Sequence, residues 1–293
     1  MHVNIRGGIT NFGKWRTVVE LCSLKKPDVL VITETGHNNH PSTLRWLTRT
    51  MKPNELNNLD DRSQLSDQFK DTLPYNMYST EGISTPGERG GVAVLVHTSL
   101  AHRVLGQPVT PPHKRWMTLT LATPDEHIKI VATYMRPSPQ SHPTARAEWR
   151  ELTDYAVNLG IHRHTALLIG DFNASMNNPH SRRFTARSKR VQERLLSSLQ
   201  TAAKLVDIFP TLHPESHHCT WWNTSTWTSP DHAMISSHQA HRVLAAQIDL
   251  GTPLSYGLDH GILSIVLSLS ENPRPPPQDR YLRVKFAKDK IPL

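Results

Sequence analysis

Apolar positions along the chain fall in short runs, separated by a few segments with helical spacing. The i, i+3, i+4, i+7 spacing of a helix that packs one face on a sheet occurs at Trp15, Val18, Val19 and Cys22. Similar spacing predicts helices over about 42–51, 144–159 and 188–205. Short apolar or alternating runs predict strands at residues 2–5, 29–32, 75–79, 91–97, 115–122, 128–134, 166–169, 232–235, 243–248 and 262–267.

The segments that connect these strands are of both hairpin and crossover length. This mixture argues against a simple Rossmann or barrel order. We therefore predict an α/β fold in which two mixed sheets pack together and helices cover both outer faces, a four-layer α/β/β/α sandwich. Residues 52–72 are polar and aperiodic, which predicts a surface insertion.

The pattern of strands and helices ends near residue 270. The Asn-Pro-Arg-Pro-Pro-Pro segment that follows predicts a stiff linker that no sheet could include. We therefore predict one domain over residues 1–270 and a proline-rich basic tail over 271–293, which would lead to a further part of a longer chain.

Composition narrows the classes of function. The 293 residues include 33 Lys and Arg against 25 Asp and Glu, and this net charge of +8 favours a polyanionic partner, nucleic acid before a membrane surface. Two cysteines without a CxxC pair argue against a disulfide scaffold or structural zinc site, and favour a reducing compartment. Because the chain has neither a bilayer-length apolar run nor an apolar signal segment, we expect an intracellular protein.

The segment Ile-Gly-Asp-Phe-Asn at 169–173 carries the sharpest chemical signal. Side chains at i and i+2 of an extended backbone point the same way, so Asp171 and Asn173 would project together from the end of an apolar strand. A carboxylate beside an amide suits a general base paired with a neutral donor to a phosphate oxygen. The same residues also fit a turn closed by an Asx side chain, so both interpretations stay open.

Further acids stand at the ends of other apolar strands. Glu34 follows the strand at 29–32, Asp231 precedes the one at 232–235, and the pair Asp259–His260 precedes the one at 262–267. Carboxylate oxygens are the ligands that Mg²⁺ prefers, and a neighbouring acid fixes the tautomer or supports the charge of a histidine. Their joint placement predicts a metal-assisted catalytic site.

These residues lie in segments that resemble the motifs of the endonuclease/exonuclease/phosphatase superfamily, which includes exonuclease III, DNase I and the apurinic endonucleases. The similar segments follow the order of the family's motifs at residues 3–8, 28–35, 90–93, 132–137, 170–173, 228–231 and 258–260. The chain departs from those motifs at Ala132, Thr228, Pro230 and Leu258. Residues 203–232 are most similar to the apurinic-endonuclease-like endonuclease domains of non-LTR retrotransposons.

This resemblance implies a DNase I-like fold and phosphodiester hydrolysis that depends on Mg²⁺, with Mn²⁺ as the alternative ion. It assigns Glu34 to the metal, with Asn4 and Asp259 beside it. It also implies catalytic roles for five residues: Asp171 with the attacking water, Asn173 and Tyr134 with phosphate oxygens, and His260, supported by Asp231, with the scissile phosphate.

Two further clusters bear on the substrate. Five basic residues within nine positions would contact a DNA backbone or form a solvated helix face: Arg182, Arg183, Arg187, Lys189 and Arg190. Three tryptophans before Asp231 would either stack on a base or belong to the core: Trp221, Trp222 and Trp227.

We therefore expect a DNA endonuclease that nicks a double-stranded target in the nucleus, as retrotransposon enzymes do for target-primed reverse transcription. A reverse transcriptase domain would be fused to it, and no membrane would be involved. The alternatives are an apurinic/apyrimidinic repair endonuclease, a catalytically weakened nucleic-acid-binding member of the fold, and a small-molecule phosphatase.

Overall fold

A computed structural model describes residues 1–6, 12–36, 74–80, 90–123, 126–137, 144–161, 164–176, 186–216, 218–224 and 227–268. The helix predicted over 42–51, the insertion over 52–72 and the tail over 271–293 lie outside these ranges. Among the described residues, no helix is both long and apolar enough to cross a bilayer.

The described chain contains thirteen strands and six α-helices. The strands are β1 His2–Asn4, β2 Val29–Thr33, β3 Tyr75–Ser79, β4 Val92–His97, β5 Trp116–Ala122, β6 His127–Tyr134, β7 Thr165–Asp171, β8 Leu205–Asp207, β9 Trp221–Trp222, β10 Trp227–Thr228, β11 Asp231–Ser236, β12 Val243–Asp249 and β13 Ile262–Leu267. The helices are α1 Phe12–Lys25, α2 Thr98–Ala101, α3 Ala145–Ile161, α4 Ala186–Ala202, α5 Ile208–Leu212 and α6 Gly251–Ser255, and a 3₁₀ helix spans Ser237–Arg242.

Two mixed sheets form the centre of the molecule. One has the order β12-β13-β1-β2-β4-β3 and the other β5-β6-β7-β11-β8, while β9 and β10 form a separate hairpin. Among the described strands, only β1–β2 and β6–β7 pair in parallel. These two sheets confirm the predicted architecture of packed mixed sheets.

The alternation of side chains along the strands explains the layers. In β2, Val31 packs between the two sheets, while Leu30 and Ile32 face the other side and pack with Val18 of α1. The outer face of the second sheet packs against α3 and α4 through a cluster that includes Trp149 and Leu199. Helices therefore cover both outer faces, as the sequence predicts.

The sequence prediction is wrong over part of the region between β7 and β11. The helix predicted to continue to residue 205 ends at Ala202, because Lys204 adopts a left-handed backbone with φ of +51° and the chain enters β8. Neither β8 nor the β9–β10 hairpin was predicted, since two or three residues are too short to show a periodic pattern.

The topology brings the polar strand ends to one edge of the sandwich. Parallel pairing places Asn4 beside Glu34 at the end of one sheet and Tyr134 beside Asp171 at the end of the other, and the packing of the two sheets brings these ends together. Strand β11 is antiparallel to β7, so its first residue, Asp231, pairs with Asp171.

The backbone approaches especially closely at the end of β7. Gly170 has a φ of +153°, and a side chain there would overlap the backbone of Thr133 on β6. Glycine at this position therefore allows β6 and β7 to place Tyr134 opposite Asp171.

Candidate active site

A cavity of about 300 Å³ opens at this edge of the sandwich. Side chains from separate strands and loops line it, including Arg6, Glu34, Tyr134, Asn173, Trp221, Asp259 and His260. Among these seven, only Arg6 and Trp221 have no role in the assignment that the sequence resemblance implies.

Asp171 is 1% exposed and does not itself line the cavity, but it contacts Asn173, which does. One carboxylate oxygen accepts the backbone N–H of Asn173 at 2.7 Å, and the other accepts the side-chain amide of Asn4 at 2.9 Å. Burial, together with repulsion from the Asp231 carboxylate, raises the pKa of Asp171 to about 8. A carboxyl group with a pKa near neutrality suits a general base, because it can both accept and release a proton at working pH.

For Asn173 the structure decides between the two interpretations that the sequence left open, in favour of the turn closed by an Asx side chain. The backbone of Asn173 is left-handed, with φ of +48°, and its N–H closes an Asx turn on Asp171. The side-chain amide donates to the carbonyl of Met135 at 2.8 Å. The expected projection of both side chains from an extended backbone is therefore wrong, although Asn173 still lines the cavity.

Glu34 makes one hydrogen bond to the second sheet, through Tyr134 of β6, and one contact within its own sheet, to Asn4 of β1. Its Oε1 accepts the Tyr134 hydroxyl at 3.1 Å and lies 3.4 Å from Nδ2 of Asn4. Burial raises the pKa of Tyr134, and the negative charges of Glu34 and Asp171 raise it further, so the phenol stays protonated and donates. Asn4 directs its amide nitrogen at both carboxylates while its oxygen accepts the Arg6 N–H at 2.7 Å, so here it donates to the acids.

His260 and Asp231 form a buried pair next to Asp171. Nδ1 of His260 lies 2.9 Å from Oδ2 of Asp231. Burial alone would lower the pKa of His260, but the charge and hydrogen bond of Asp231 outweigh it and raise the pKa to about 9. Burial likewise opposes the charge of Asp231, yet His260 lowers the pKa of that carboxyl group. The pair is therefore an imidazolium and a carboxylate at neutral pH.

Asp259 links the site to two residues for which the sequence suggested no catalytic role. Its Oδ2 accepts the Trp221 indole N–H at 3.3 Å and lies 3.4 Å from a guanidinium nitrogen of Arg6. A further residue that sequence reasoning missed is His2, whose buried Nδ1 is 3.7 Å from Asp231. Burial lowers the pKa of His2 to about 4, so it is neutral beside the charged pair. Only long-range contacts reveal Arg6 and His2, whereas the sequence had already singled out Trp221 as a candidate for base stacking.

The donor set fits a hard divalent cation. Asp171, Asp231 and His260 place one ligand atom each within 4.8 Å of one another, but His260 is protonated in the pair described above and so cannot itself bind a cation. Within the described part of the chain, Oε2 of Glu34 and Oδ1 of Asp259 are buried and have no hydrogen-bond partner. A buried carboxylate oxygen without a partner is costly unless a cation or water satisfies it. Glu34 and Asp259 therefore offer the uncommitted oxygen ligands that Mg²⁺ prefers.

The remaining predicted residues are placed only in part. Arg182 and Arg183 lie outside the described ranges, and the side chains of Arg187, Lys189 and Arg190 in the first turns of α4 are not described. The alternative that the three tryptophans belong to the core is wrong. Trp227 is 43% exposed, Trp221 and Trp222 are half-buried, and Trp221 lines the cavity.

Comparisons with known proteins agree with this geometry. The model of the Endonuclease/Exonuclease/phosphatase family matches residues 1–237. No curated protein matches the sequence. The solved AP endonuclease LMAP from Leishmania major is similar with a TM-score of 0.66 and 15% identity, over 90% of this chain and 85% of that one.

Two other solved structures are similar over 91% of this chain and 98% of theirs, both at 16% identity. They are the Neisseria 3′ phosphatase NExo bound to product DNA hairpin, with a TM-score of 0.64, and an AP endonuclease from Archaeoglobus fulgidus, with a TM-score of 0.62. At these identities the likeness establishes the shared fold.

Proposed function

This chain belongs to the endonuclease/exonuclease/phosphatase family and is a phosphodiester-hydrolysing enzyme, and we propose that it is a Mg²⁺-dependent endonuclease of double-stranded DNA. The observation that carries the proposal is the arrangement of a raised-pKa carboxyl, a buried imidazolium–carboxylate pair and two uncommitted carboxylate oxygens around one cavity. A net charge of +8 on the whole chain supports a polyanionic substrate.

Glu34 and Asp259 would hold the divalent ion. When bound, Mg²⁺, or Mn²⁺ in its place, supplies positive charge that stabilises the phosphate oxygens during hydrolysis. Tyr134 and Asn4 both donate to Oε1 of Glu34 and so keep the carboxylate oriented, which leaves Oε2 for the ion. In the free protein Arg6 and Trp221 hold Asp259 in the same way through its Oδ2.

Asp171 would accept the proton of the attacking water. Two N–H donors fix its carboxylate before substrate arrives, so little reorganisation accompanies proton transfer. The proton passes from the water oxygen to the carboxylate as that oxygen forms a bond to phosphorus; the P–O bond to the leaving oxygen breaks, and the leaving oxygen takes a proton from solvent. Asn173, beside Asp171 in the same turn, would donate to a phosphate oxygen if its amide leaves the Met135 carbonyl.

His260 would contact the scissile phosphate as a cation. Because Asp231 occupies its Nδ1, the Nε2–H remains to donate to a phosphate oxygen on which negative charge develops. A charged donor in a buried site stabilises this developing charge more strongly than the same donor would in water, because the effective dielectric constant of the site is lower.

Glu34→Gln is expected to weaken metal binding. The amide has one carbonyl oxygen in place of two carboxylate oxygens and no charge, so the Mg²⁺ concentration that gives half-maximal cleavage should rise by at least about tenfold. The check is a Mg²⁺ titration of cleavage together with calorimetry of Mg²⁺ binding. Glu20→Gln, at a half-buried residue of α1 that pairs with Arg16, is the matched control. An unchanged Mg²⁺ requirement in Glu34→Gln would remove Glu34 from the metal site.

The sequence suggests which residues contact the DNA backbone. The basic residues at 182–190 begin nine positions after Asn173, and we assign them to the DNA backbone. Replacing all five with Ala should weaken DNA binding and flatten the salt dependence of log K by about 0.9 for each phosphate that the variant no longer neutralises. Binding at several salt concentrations checks this. A small-molecule phosphatase, or a solvated helix face, would leave both quantities unchanged.

We also propose that the enzyme nicks the target DNA of a retrotransposon in the nucleus and is joined to a reverse transcriptase. The similarity of residues 203–232 to such domains supports this assignment. Nicking of supercoiled plasmid in Mg²⁺, abolished by EDTA, tests the endonuclease activity. DNA binding without cleavage would instead identify a catalytically weakened member of the fold.

The second candidate function is apurinic/apyrimidinic repair, because two of the similar solved structures are AP endonucleases. A duplex with one abasic site separates the two candidates. Cleavage of this duplex far faster than cleavage of the intact duplex favours repair, and comparable rates favour a retrotransposon enzyme.

A further inference from the structure

The turn that carries Asn173 is hydrogen-bonded to a buried histidine that takes no part in the mechanism above. His232, the second residue of β11, is 3% exposed. Its Nε2 lies 2.7 Å from the carbonyl oxygen of Ala174, and its Nδ1 lies 2.5 Å from Oδ2 of Asp207. A carbonyl and a carboxylate only accept hydrogen bonds, so both ring nitrogens carry a proton and the ring is a buried cation.

The charge state agrees with the surroundings of the ring. Burial alone would lower the pKa of His232, but the charge and hydrogen bond of Asp207 outweigh burial and raise it. Removing either partner of such a buried pair leaves the other charge unsatisfied.

Asp207 departs from the usual behaviour of a residue in its position. It is the N-cap of α5, where an aspartate side chain ordinarily accepts an N–H of the first helical turn. Here the side chain makes no capping hydrogen bond and turns to His232 instead. Because Asp207 gives up the usual N-cap hydrogen bond and contacts His232, we infer that its side chain has a role beyond the local stability of α5.

Further contacts anchor the turn at 171–175. The N–H of Phe172 donates to the carbonyl of Pro230 at 2.9 Å, and the N–H of Ser229 donates to the Ser175 hydroxyl at 3.2 Å. The Phe172 ring also packs edge-on against the His232 ring, with centroids 5.8 Å apart. These anchors keep Asn173 in its left-handed conformation, which a non-glycine residue adopts less readily.

We propose that Asp207 and His232 are positioning residues of the active site: their ion pair holds the Ala174 carbonyl and so fixes the turn that presents Asp171 and Asn173. The contacts run from β8 at the sheet edge, through the imidazole, to the backbone next to Asn173. Neither side chain lines the cavity. The effect on catalysis rests on the proposed nuclease function, whereas the effect on the turn does not.

Two substitutions of His232 separate its two hydrogen bonds. The amide nitrogen of Gln occupies nearly the position of Nε2, so His232→Gln keeps the donor to Ala174. The amide nitrogen of Asn corresponds to Nδ1, so His232→Asn keeps only the donor to Asp207. If the bond to Ala174 positions the turn, His232→Asn should lower kcat about 10- to 100-fold, as removal of a supporting hydrogen bond does. His232→Gln should regain most of that activity, with KM within about twofold in both variants.

Arg242→Met is the matched control. Arg242 is 1% exposed and pairs with Glu126, which also accepts the Thr165 hydroxyl at the start of β7, the end of that strand away from Asp171. This variant should lose stability without losing kcat. Glu126→Gln should behave in the same way.

A second readout does not require cleavage of DNA. Hydrogen exchange of the Phe172 and Asn173 amides in the protein without metal should be faster in His232→Asn than in His232→Gln, at equal global stability. Equal kcat and equal exchange in the two variants would overturn the proposal and leave His232 a packing residue. If wild type cleaves no DNA, the nuclease function fails, and the exchange rates still decide whether His232 positions the turn.

Discussion

Asp171→Asn is expected to abolish DNA cleavage and leave the fold intact. The amide cannot accept the proton of the attacking water, and loss of a general base costs about 10²- to 10⁴-fold in rate. Gel analysis of supercoiled plasmid under single-turnover conditions measures the loss directly. Asp154→Asn on the exposed face of α3 is the control for a change of charge alone. Cleavage at the wild-type rate by Asp171→Asn would remove Asp171 from the mechanism.

The same substitution should change the pH dependence of stability in the protein without metal. Folding raises the pKa of Asp171 from 3.8 to about 8 through burial and repulsion from Asp231. Between about pH 4 and pH 8, the folded protein therefore holds a proton that the unfolded chain has already released. This contribution to stability is complete below pH 4 and is lost as pH rises through 8.

The Asn side chain does not titrate, so Asp171→Asn lacks this loss. In EDTA, the melting temperature of Asp171→Asn minus that of wild type should become more positive as pH rises from 5 to 8. Differential scanning calorimetry across this range makes the comparison. A difference that stays constant with pH would show that Asp171 has an ordinary pKa in the folded protein.

His260→Gln is expected to reduce kcat by about 10²- to 10³-fold, the usual cost of removing one donor that stabilises transition-state charge. The variant loses the imidazolium that Asp231 sustains, while Gln retains a neutral amide donor. Asp231→Asn removes the carboxylate that holds the pKa of His260 near 9, so its activity should decline at lower pH than that of wild type. Rate measurements from pH 6 to 10 in saturating Mg²⁺ check this shift.

A double substitution tests whether the two residues act as a pair. Because Asp231 acts through His260, His260→Gln with Asp231→Asn should lose little more activity than His260→Gln alone. Losses that multiply would show that the two side chains act independently, contrary to the buried hydrogen bond.

The sequence predicted the layers because each layer has a strong local signal. Strands such as β4 and β13 are mostly apolar, and the i, i+3, i+4, i+7 spacing of α1 indicates one buried face. Acids at the ends of such strands could be grouped in advance, since parallel neighbours end at one edge. Asn4 meets Glu34 in this way within the first sheet, whereas the packing of the two sheets brings Asp171 to Asn4.

The remaining features depend on contacts between distant parts of the chain. Nothing local to Asp207 shows that its carboxylate leaves the helix it would cap and pairs with His232, 25 residues later. The pairing of Arg6 with Asp259 joins the first strand to the last loop of the site. The left-handed conformation of Asn173 follows from its turn contacts, and the sequence motif alone admitted an extended strand as well.

The most direct test of a Mg²⁺-dependent DNA endonuclease is the conversion of supercoiled plasmid to the open-circular form by the purified chain. We predict nicking by wild type in Mg²⁺, none in EDTA, restoration when excess Mg²⁺ is added back, and none by Asp171→Asn in either condition. Nicking that persists in EDTA, or that Asp171→Asn retains, would contradict a metal-assisted reaction at this site, as would intact plasmid after incubation of folded wild type with Mg²⁺ or Mn²⁺.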